Sequence, residues 1–117
     1  MFKASIDSEH ALYMNFISRF SHGSFVPYQS VHAKFDSSDL NQLWAWTTNS
    51  PTEHFVAGDS VIIDDSVVFA AMNVAQIDDE VRNSYVVKHS RADGAVVFHK
   101  EYKHTHHDTC AAGLISY

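Results

Sequence analysis

The stretch that decides the fold lies in the last third of the chain, where residues 81–105 read VRNSYVVKHSRADGAVVFHKEYKHT. Two runs rich in Val, Tyr and Phe flank Asp93-Gly94, and an Asp-Gly pair between alternating runs is a strong hairpin signal. Upstream, His54–Ile63 and Ser66–Ile77 are also rich in Val, Ile and Phe, and Asp64-Asp65 joins them. The second half of the chain therefore predicts two antiparallel hairpins whose strands follow one another in chain order.

The first half predicts two helices. After Ser8, a candidate N-cap, apolar residues recur at the i, i+3, i+4, i+7 spacing of one helical face, so we expect a helix over 8–21. Its apolar face consists of Tyr13, Phe16, Ile17 and Phe20. A second, shorter helix is expected before Pro51 on the same spacing of Leu40, Leu43, Trp44 and Thr47. Between the two helices, residues 25–33 fit an edge strand or an extended loop.

Helices followed by hairpins predict an α+β fold in which the helices pack on one face of an antiparallel sheet. The length of 117 residues and the 45% hydrophobic content suit one domain, 1–117, with a substantial core. The net charge of −6 disfavours a nucleic-acid partner, because a phosphate backbone is bound by clustered cations.

Cellular location is predicted from the cysteine count and the N-terminal residues. Cys110 is the single cysteine, so it has no internal disulfide partner, and Asp7 and Glu9 interrupt the apolar stretch that a signal peptide requires. The uncharged apolar run 67–77 is too short for a transmembrane helix. We therefore expect a cytoplasmic protein that makes no use of a membrane.

Residues 91–102, RADGAVVFHKEY, resemble the last hairpin of the nuclear-transport-factor-2-like superfamily, which includes SnoaL-like polyketide cyclases and ketosteroid isomerases. Residues 39–44, DLNQLW, are similar to the short helix of that superfamily. The resemblance implies a strongly curved antiparallel sheet wrapped against helices to form a cone with a blind pocket. It also implies a small apolar or aromatic ligand and frequent dimerisation through the outer face of the sheet. At the positions of the ketosteroid isomerase acids this chain has no carboxylate: residues 26–29 read VPYQ, and Val86-Val87 occupies the second position.

Candidate catalytic residues follow from side-chain alternation along the last strand. Val97, His99 and Glu101 share one face, and an even-numbered loop at Asp93-Gly94 puts Lys88 and Val86 opposite them. A three-residue turn puts His89 and Val87 there instead. In the resembled superfamily this face lines the pocket, which implies Glu101 as a general base, with His99 or Lys88 stabilising an oxyanion. The alternative is a Lys–Glu pair on a solvated face, which contributes little.

Aromatic residues supply the walls that a ligand site requires. Trp44 and Tyr13, with Val86 and Val97, are the predicted ligand-binding residues, although large aromatic side chains serve equally well as ordinary core. No cofactor is expected, because the chain has no glycine-rich phosphate loop.

A metal site is the remaining alternative. Among the 9 histidines of the chain, His104, His106 and His107 cluster near the C-terminal end, and alternation aims His104 and His106 to one side. No third ligand stands at a recognisable spacing, so no metal site is predicted as the main function.

Three functions from different classes remain at this point. The first is a small-molecule-binding domain with an apolar pocket, acting as an isomerase, cyclase or hydrolase. The second is a noncatalytic dimerisation or interaction module whose interior is filled by its own aromatic residues. The third is metal binding by the histidine cluster. In all cases we expect a homodimer, because a curved sheet with helices on one face leaves Val96, Phe98 or their opposite-face neighbours to be covered.

Overall fold

The computed structural model describes residues 4–18, 28–49, 53–75 and 82–102, which form eight β-strands. The strands are β1 (Ala4–Ile6), β2 (Ala11–Ser18), β3 (Gln29–Asp36), β4 (Gln42–Thr47), β5 (Glu53–Ile63), β6 (Ser66–Ala75), β7 (Arg82–Ser90) and β8 (Val96–Tyr102). They make two antiparallel sheets, the first in the order β1-β2-β3-β4 and the second in the order β5-β6-β7-β8. Since these ranges contain no helix, the predicted α+β fold is wrong, and so is the cone of helices against a curved sheet.

Both predicted hairpins are confirmed, and the second sheet follows the chain. Ile63 pairs with Ser66 across the two-residue turn Asp64-Asp65, where Asp64 adopts a left-handed φ of 53° that Asp tolerates better than most residues. Strand β7 pairs with β8, and the turn between them is closed by a hydrogen bond from the amide of Ser90 to the carbonyl of Ala95 at 2.8 Å. The expected strand over 81–90 is β7.

Where a helix was predicted over 8–21, residues 8–10 lie in a turn and Ala11–Ser18 form strand β2, so this helix is wrong over the residues that the structure describes. Burial alternates along β2: Ala11, Tyr13 and Asn15 are buried, whereas the residues between them are only half-buried. The helical spacing was misleading for a physical reason. Polar Asn15 points into the protein while apolar Met14 and Phe16 point outward, so hydrophobicity does not follow the two-residue period of the strand. Phe20 lies outside the described residues.

The second predicted helix is strand β4. Trp44 is buried and Trp46 is half-buried on the same face, as the alternation of a strand requires. Leu40 precedes the strand in a left-handed conformation, and Leu43 is 54% exposed, so the proposed helical stripe does not exist. Strand β3 occupies much of the segment for which an edge strand or loop was expected, and it lies between β2 and β4 rather than at an edge.

The two sheets pack face to face, and the core lies between them. Two clusters of buried apolar residues fill this layer. The first contains Ala11, Tyr13, Trp44, Val67 and Phe69, with Ile62 packed against it. The second contains Phe55, Tyr85 and Val87, with Trp46 packed against it. The large aromatic side chains of the first sheet, Tyr13, Trp44 and Trp46, therefore serve as core.

Gly94 is where the β7–β8 turn meets the first sheet. Its φ is +76°, and a Cβ placed on it would lie 2.6 Å from two ring carbons of Trp44. Glycine is required here both by the left-handed backbone and by the close approach of the indole ring. The turn is thus seated directly on the first sheet.

The variant Gly94→Ala is expected to lose at least about 2 kcal/mol of unfolding free energy, because the added methyl group meets the left-handed strain and the Trp44 ring together. Chemical denaturation measures the change. Ala92→Ser, at an exposed position of the same turn, is the control and is expected to stay within about 0.5 kcal/mol of wild type. An equally stable Gly94→Ala protein would contradict the seating of the turn.

Candidate functional site

The inward face of the first sheet is unusually polar. Its strand register places Ser5, Asn15, Ser30, His32 and Lys34 on the same face as Tyr13, Trp44 and Trp46. Several of these polar side chains reach across to the second sheet: Ser5 Oγ lies 2.9 Å from Ser60 Oγ, and Asn15 Nδ2 donates to the carbonyl of Ala70 at 3.0 Å. The two sheets are therefore joined by hydrogen bonds as well as by apolar packing.

Two fully buried imidazoles form the central link. Nδ1 of His32 lies 2.9 Å from Nε2 of His89, and Nδ1 of His89 lies 2.9 Å from the carbonyl oxygen of Gly94. A carbonyl only accepts, so Nδ1 of His89 carries the hydrogen and a neutral His89 has its lone pair on Nε2. His32 must then donate through its own Nδ1. Its Nε2, which is buried and has no hydrogen-bond partner, keeps a free lone pair.

Aromatic rings enclose this pair. His32 stacks on Phe69 with 4.4 Å between ring centroids and an interplanar angle of 11°, and Trp46 lies 5.0 Å away on another side. Trp44 lies 5.5 Å from His89. Burial, with the added repulsion of His89, holds the pKa of His32 well below its usual value. Burial also lowers the pKa of His89, although its bond to Gly94 partly opposes this. Both imidazoles are consequently neutral at pH 7.

A second polar network lies beside the histidines. Ser30 Oγ donates to Oδ1 of Asn15 at 2.7 Å, and the amide of Ser30 donates to Oγ1 of Thr48 at 2.9 Å. Thr48 in turn donates to Oε1 of Gln29 at 2.8 Å. All four of these residues are buried, and the network satisfies groups whose burial without partners would cost roughly 1–3 kcal/mol each.

A third network, at the loop end of the sheets, joins Asp7, Tyr13 and Arg91. The hydroxyl of Tyr13 donates to Oδ2 of Asp7 at 2.9 Å and accepts from Nε of Arg91 at 3.2 Å, while Nη2 of Arg91 binds Asp7 directly. The carbonyl of Arg91 accepts from Nζ of Lys34 and from Nε1 of Trp44. This one turn residue therefore ties strands β2, β3 and β4 to the β7–β8 turn.

The electrostatics of this third network favour its ionised form. Burial opposes the charge on Asp7, but hydrogen bonds from the Ala11 amide, Arg91 and Tyr13 outweigh it and hold the pKa of Asp7 at about 2. The Asp7 side chain is only 2% exposed. Hydrogen bonds to Tyr13 and Asp7 raise the pKa of Arg91, and burial raises the pKa of Tyr13.

The outward face of the first sheet has the opposite character. Ala4, Met14, Ala33 and Ala45 form one row across the four strands, and Ile6, Leu12 and Phe35 form the next, ending at Gln42. A third row contains Phe16, Val31 and Thr47. Within β1 to β4 none of these outward positions carries a charged residue. We call this surface, the three rows together with the exposed Leu43 of β4, the apolar outer face.

The predicted catalytic residues are only partly brought together. His99 pairs with Val87 and Glu101 pairs with Tyr85, so His89 and Val87 lie on the face of His99. This register arises at a β-bulge, because His89 pairs with Val96 and the pairing then shifts between His89 and Lys88. Lys88 pairs with Phe98 and lies on the opposite face of the sheet. His99 is exposed and its ring lies 5.0 Å from that of Tyr85. The trio of Glu101, His99 and Lys88 does not converge.

The predicted ligand-binding residues do not share one site either. Tyr13 and Trp44 are buried in the core, Val86 is half-buried on the face of the second sheet that points away from the first, and Val97 is 59% exposed on β8. A cleft of about 260 Å³ opens at the loop end instead. Its lining is polar and contains none of the four: Glu9, Lys34, Asp65, Ser90, Arg91 and Ala92.

The histidine cluster His104, His106 and His107, like Cys110, lies outside the described residues. Within the described ranges no group of three His, Cys, Asp or Glu side chains is arranged to hold a metal ion. No helix in the same ranges has the length and apolar character needed to cross a bilayer.

No protein family matches this chain, and no curated protein or solved structure matches it either.

His32 and His89, the central residues of the site, were not predicted as a pair. His89 appeared only as the neighbour that an odd-numbered turn brings to His99, and nothing indicated His32. A signal was present in residues 30–36, SVHAKFD, where polar and apolar residues alternate strictly. That period indicates a strand with one polar and one apolar face, but not which face points inward.

The Asp7–Arg91–Tyr13 network predicts acid sensitivity. The folded pKa of Asp7, about 2, lies below its ordinary value of 3.8, so its contribution is complete above pH 3.8 and is lost as the pH falls towards 2. Asp7→Asn is expected to lower the unfolding free energy by about 2 kcal/mol at pH 7 and by much less near pH 2. Denaturant titrations across this range measure the difference. Glu9→Gln, at an exposed position nearby, is expected to change little at either pH.

Proposed function

We propose that this domain is a noncatalytic self-association module that binds a second copy of itself through the apolar outer face of its first sheet. The observation that carries the proposal is the inverted arrangement of that sheet. Its polar side chains point towards the second sheet, while its outward rows contain apolar and uncharged residues only. In a sheet with one solvated face the opposite arrangement is usual.

The edges of the apolar outer face are exposed, whereas Val31 and Ala33 at its centre are buried within the chain. Ile6 is 64% exposed and Leu43 54% exposed at opposite edges of the sheet, and half-buried Leu12, Met14 and Phe16 lie between them. Contiguous apolar patches on soluble domains mark sites where another molecule binds. Covering these side chains would contribute roughly 25 cal/mol for each Å² removed from water.

The shape and charge of the face favour a second copy as the occupant. The central row contains three alanines, Ala4, Ala33 and Ala45, and rows with large side chains, led by Phe35 and Phe16, flank it. A two-fold symmetric pair uses the same patch on both copies, so an uncharged face of this kind meets an uncharged face. The net charge of −6 repels two copies in general, but none of it resides on the outward positions of β1 to β4.

The interior supports the noncatalytic alternative over an apolar ligand pocket. Trp44, Trp46 and Phe69 pack against the two histidines in the layer between the sheets, where a pocket would have to open. The scattered positions of Glu101, His99 and Lys88 give no further support to proton-transfer chemistry. A reducing, cytoplasmic location stays a prediction based on the single cysteine.

The double variant Ile6→Lys/Leu43→Lys tests the face. Wild type is expected to sediment as a dimer and the variant as a monomer, because two lysines per copy would have to be buried without partners. The fold should persist, since both positions are exposed in the single chain. Sedimentation velocity over a range of concentrations gives the oligomeric state, and circular dichroism checks the fold.

Val97→Lys/Phe98→Lys is the matched control, because it adds the same two charges at exposed positions of β8, 59% and 47% accessible, in the other sheet. This control should remain dimeric. A wild-type protein that stays monomeric at high concentration would contradict self-association. A control that dissociates while the Ile6/Leu43 variant stays dimeric would place the contact on the last hairpin and contradict the proposed face.

A further inference from the structure

We propose that the His32–His89 pair is a proton-released latch, which holds the two sheets together while both imidazoles are neutral and opens their contact in a mildly acidic medium. This inference concerns the contact between the sheets within one chain and does not depend on the proposed self-association. It rests on the position of the pair, on the use of its four ring nitrogens and on the residues around it.

The pair joins the middle of one sheet to the other. His32 lies on β3, which has neighbours on both sides in the first sheet, and His89 lies on β7, which has neighbours on both sides in the second. Both side chains are fully buried. Their bond of 2.9 Å thus crosses the centre of the packing layer rather than its rim. Separation of these two side chains requires the sheets to part there.

The four ring nitrogens have a single neutral arrangement that satisfies the observed contacts. His89 donates from Nδ1 to the Gly94 carbonyl and accepts at Nε2 from Nδ1 of His32. The fourth nitrogen, Nε2 of His32, is buried without a partner. An unpartnered acceptor is tolerable at a moderate energetic cost, whereas an unpartnered N–H of a charged ring costs considerably more.

An added proton has no satisfactory place in this arrangement. On Nε2 of His32 it creates a charged donor that faces no acceptor. On Nε2 of His89 it turns that nitrogen into a donor, and His32 keeps the bond only by moving its own hydrogen from Nδ1 to Nε2. Both routes therefore end with a hydrogen on the orphaned Nε2 of His32 and a positive charge among the rings of Phe69, Trp44 and Trp46.

The charged groups on the surrounding elements do not compensate for that charge. From β2 the nearest titratable side chain is Tyr13, whose hydroxyl is bound to Asp7 and Arg91; on β3, Lys34 is bound to the carbonyl of Arg91. Strands β4 and β6 present Trp44, Trp46 and Phe69, none of which titrates. Strand β5 also packs against the first sheet, and its buried residues Phe55 and Ser60 carry no charge. On β7 and β8 the inward face adds Tyr85, His99 and Glu101. The hydrogen-bond partners of the two imidazoles are each other and Gly94, so no carboxylate is among them.

The direction of the pH effect follows from linkage. The pKa of each imidazole is lower in the folded chain than its ordinary value of 6.5, so the open form binds more protons. Stability of the closed contact is complete above pH 6.5 and is lost as the pH falls below it. When two protons bind on opening, the population of the open form rises up to about 100-fold for each pH unit; one proton gives about tenfold.

Hydrogen exchange of the β3 and β7 amides between pH 6.5 and 4.5 tests the latch, after correction for the intrinsic exchange rate at each pH. In wild type the open population is expected to rise by clearly more than tenfold, and up to about 100-fold, from pH 5.5 to 4.5. His32→Asn keeps a donor near Nδ1 but removes one titrating ring, so its rise should be about tenfold. His99→Asn, at an exposed histidine, is the matched control and should behave as wild type. Equal pH slopes for wild type and His32→Asn would overturn the latch.

A measurement on the wild-type chain covers the case in which His32→Asn does not fold. Nitrogen-15 spectra of the histidine rings are expected to show both His32 and His89 as neutral rings with hydrogen on Nδ1. Their native signals should lose intensity as the pH falls below 6.5, without changing position. The proposal is overturned if either native signal moves through a titration near pH 6.5, because the folded chain would then accommodate the proton without opening.

Discussion

The hydrogen bond between His32 and His89 is the contact on which the arrangement of the two sheets depends. It requires a polar position at the centre of each inward face, and the first sheet extends this requirement to its neighbours: Asn15 and Ser30 are polar, buried and mutually bonded. When polar side chains that form hydrogen bonds occupy the inward positions of a sheet, its apolar side chains lie on the outward face. The inverted polarity of the first sheet therefore follows from the way in which it is attached to the second.

The turn between β7 and β8 is the second point of attachment, and it cooperates with the first. Gly94 accepts from His89 through its carbonyl and lies against the Trp44 ring, while the carbonyl of Arg91 accepts from Trp44 and Lys34. The Arg91 side chain meanwhile binds Asp7 and Tyr13. Three strands of the first sheet thus contact one five-residue turn. A substitution in that turn therefore affects both sheets, because the turn connects two strands of the second sheet and contacts three strands of the first.

The same arrangement explains why the predicted catalytic residues Glu101, His99 and Lys88 do not form one site. A β-bulge beside the turn shifts the register of β7 against β8, so Lys88 faces away from His99 and Glu101, and His89 enters the core instead. Strand β8 is an edge strand, which leaves Val97 and Phe98 exposed rather than in a pocket wall. What remains as a working surface is the apolar outer face. The proposed self-association through this face is consistent with an interior that is closed by aromatic rings and imidazoles.

Sequence alone was sufficient for the elements whose signals are local. The turn residues Asp64-Asp65 and Asp93-Gly94 specify the two hairpins, because left-handed backbone conformations and tight turns depend on the residues that occupy them. The pairing of β5 with β6 and the pairing of β7 with β8 followed from these turns. Sequence was not sufficient for the first sheet, where a helical spacing and a two-residue period coexist in the same residues around Tyr13 and Trp44.

Only the tertiary structure decided that the two-residue period of a strand applies to the first sheet, and which face of each strand points inward. The two-residue period of β2 becomes visible once Asn15 is known to be buried, and Asn15 is buried because Ser30 and the Ala70 carbonyl satisfy its amide group. The pairing of His32 with His89 joins residues 57 positions apart. No local pattern specifies such a bond, because its formation depends on the packing of one sheet against the other. The sequence by itself determined the hairpins, and the contact between the sheets determined the site.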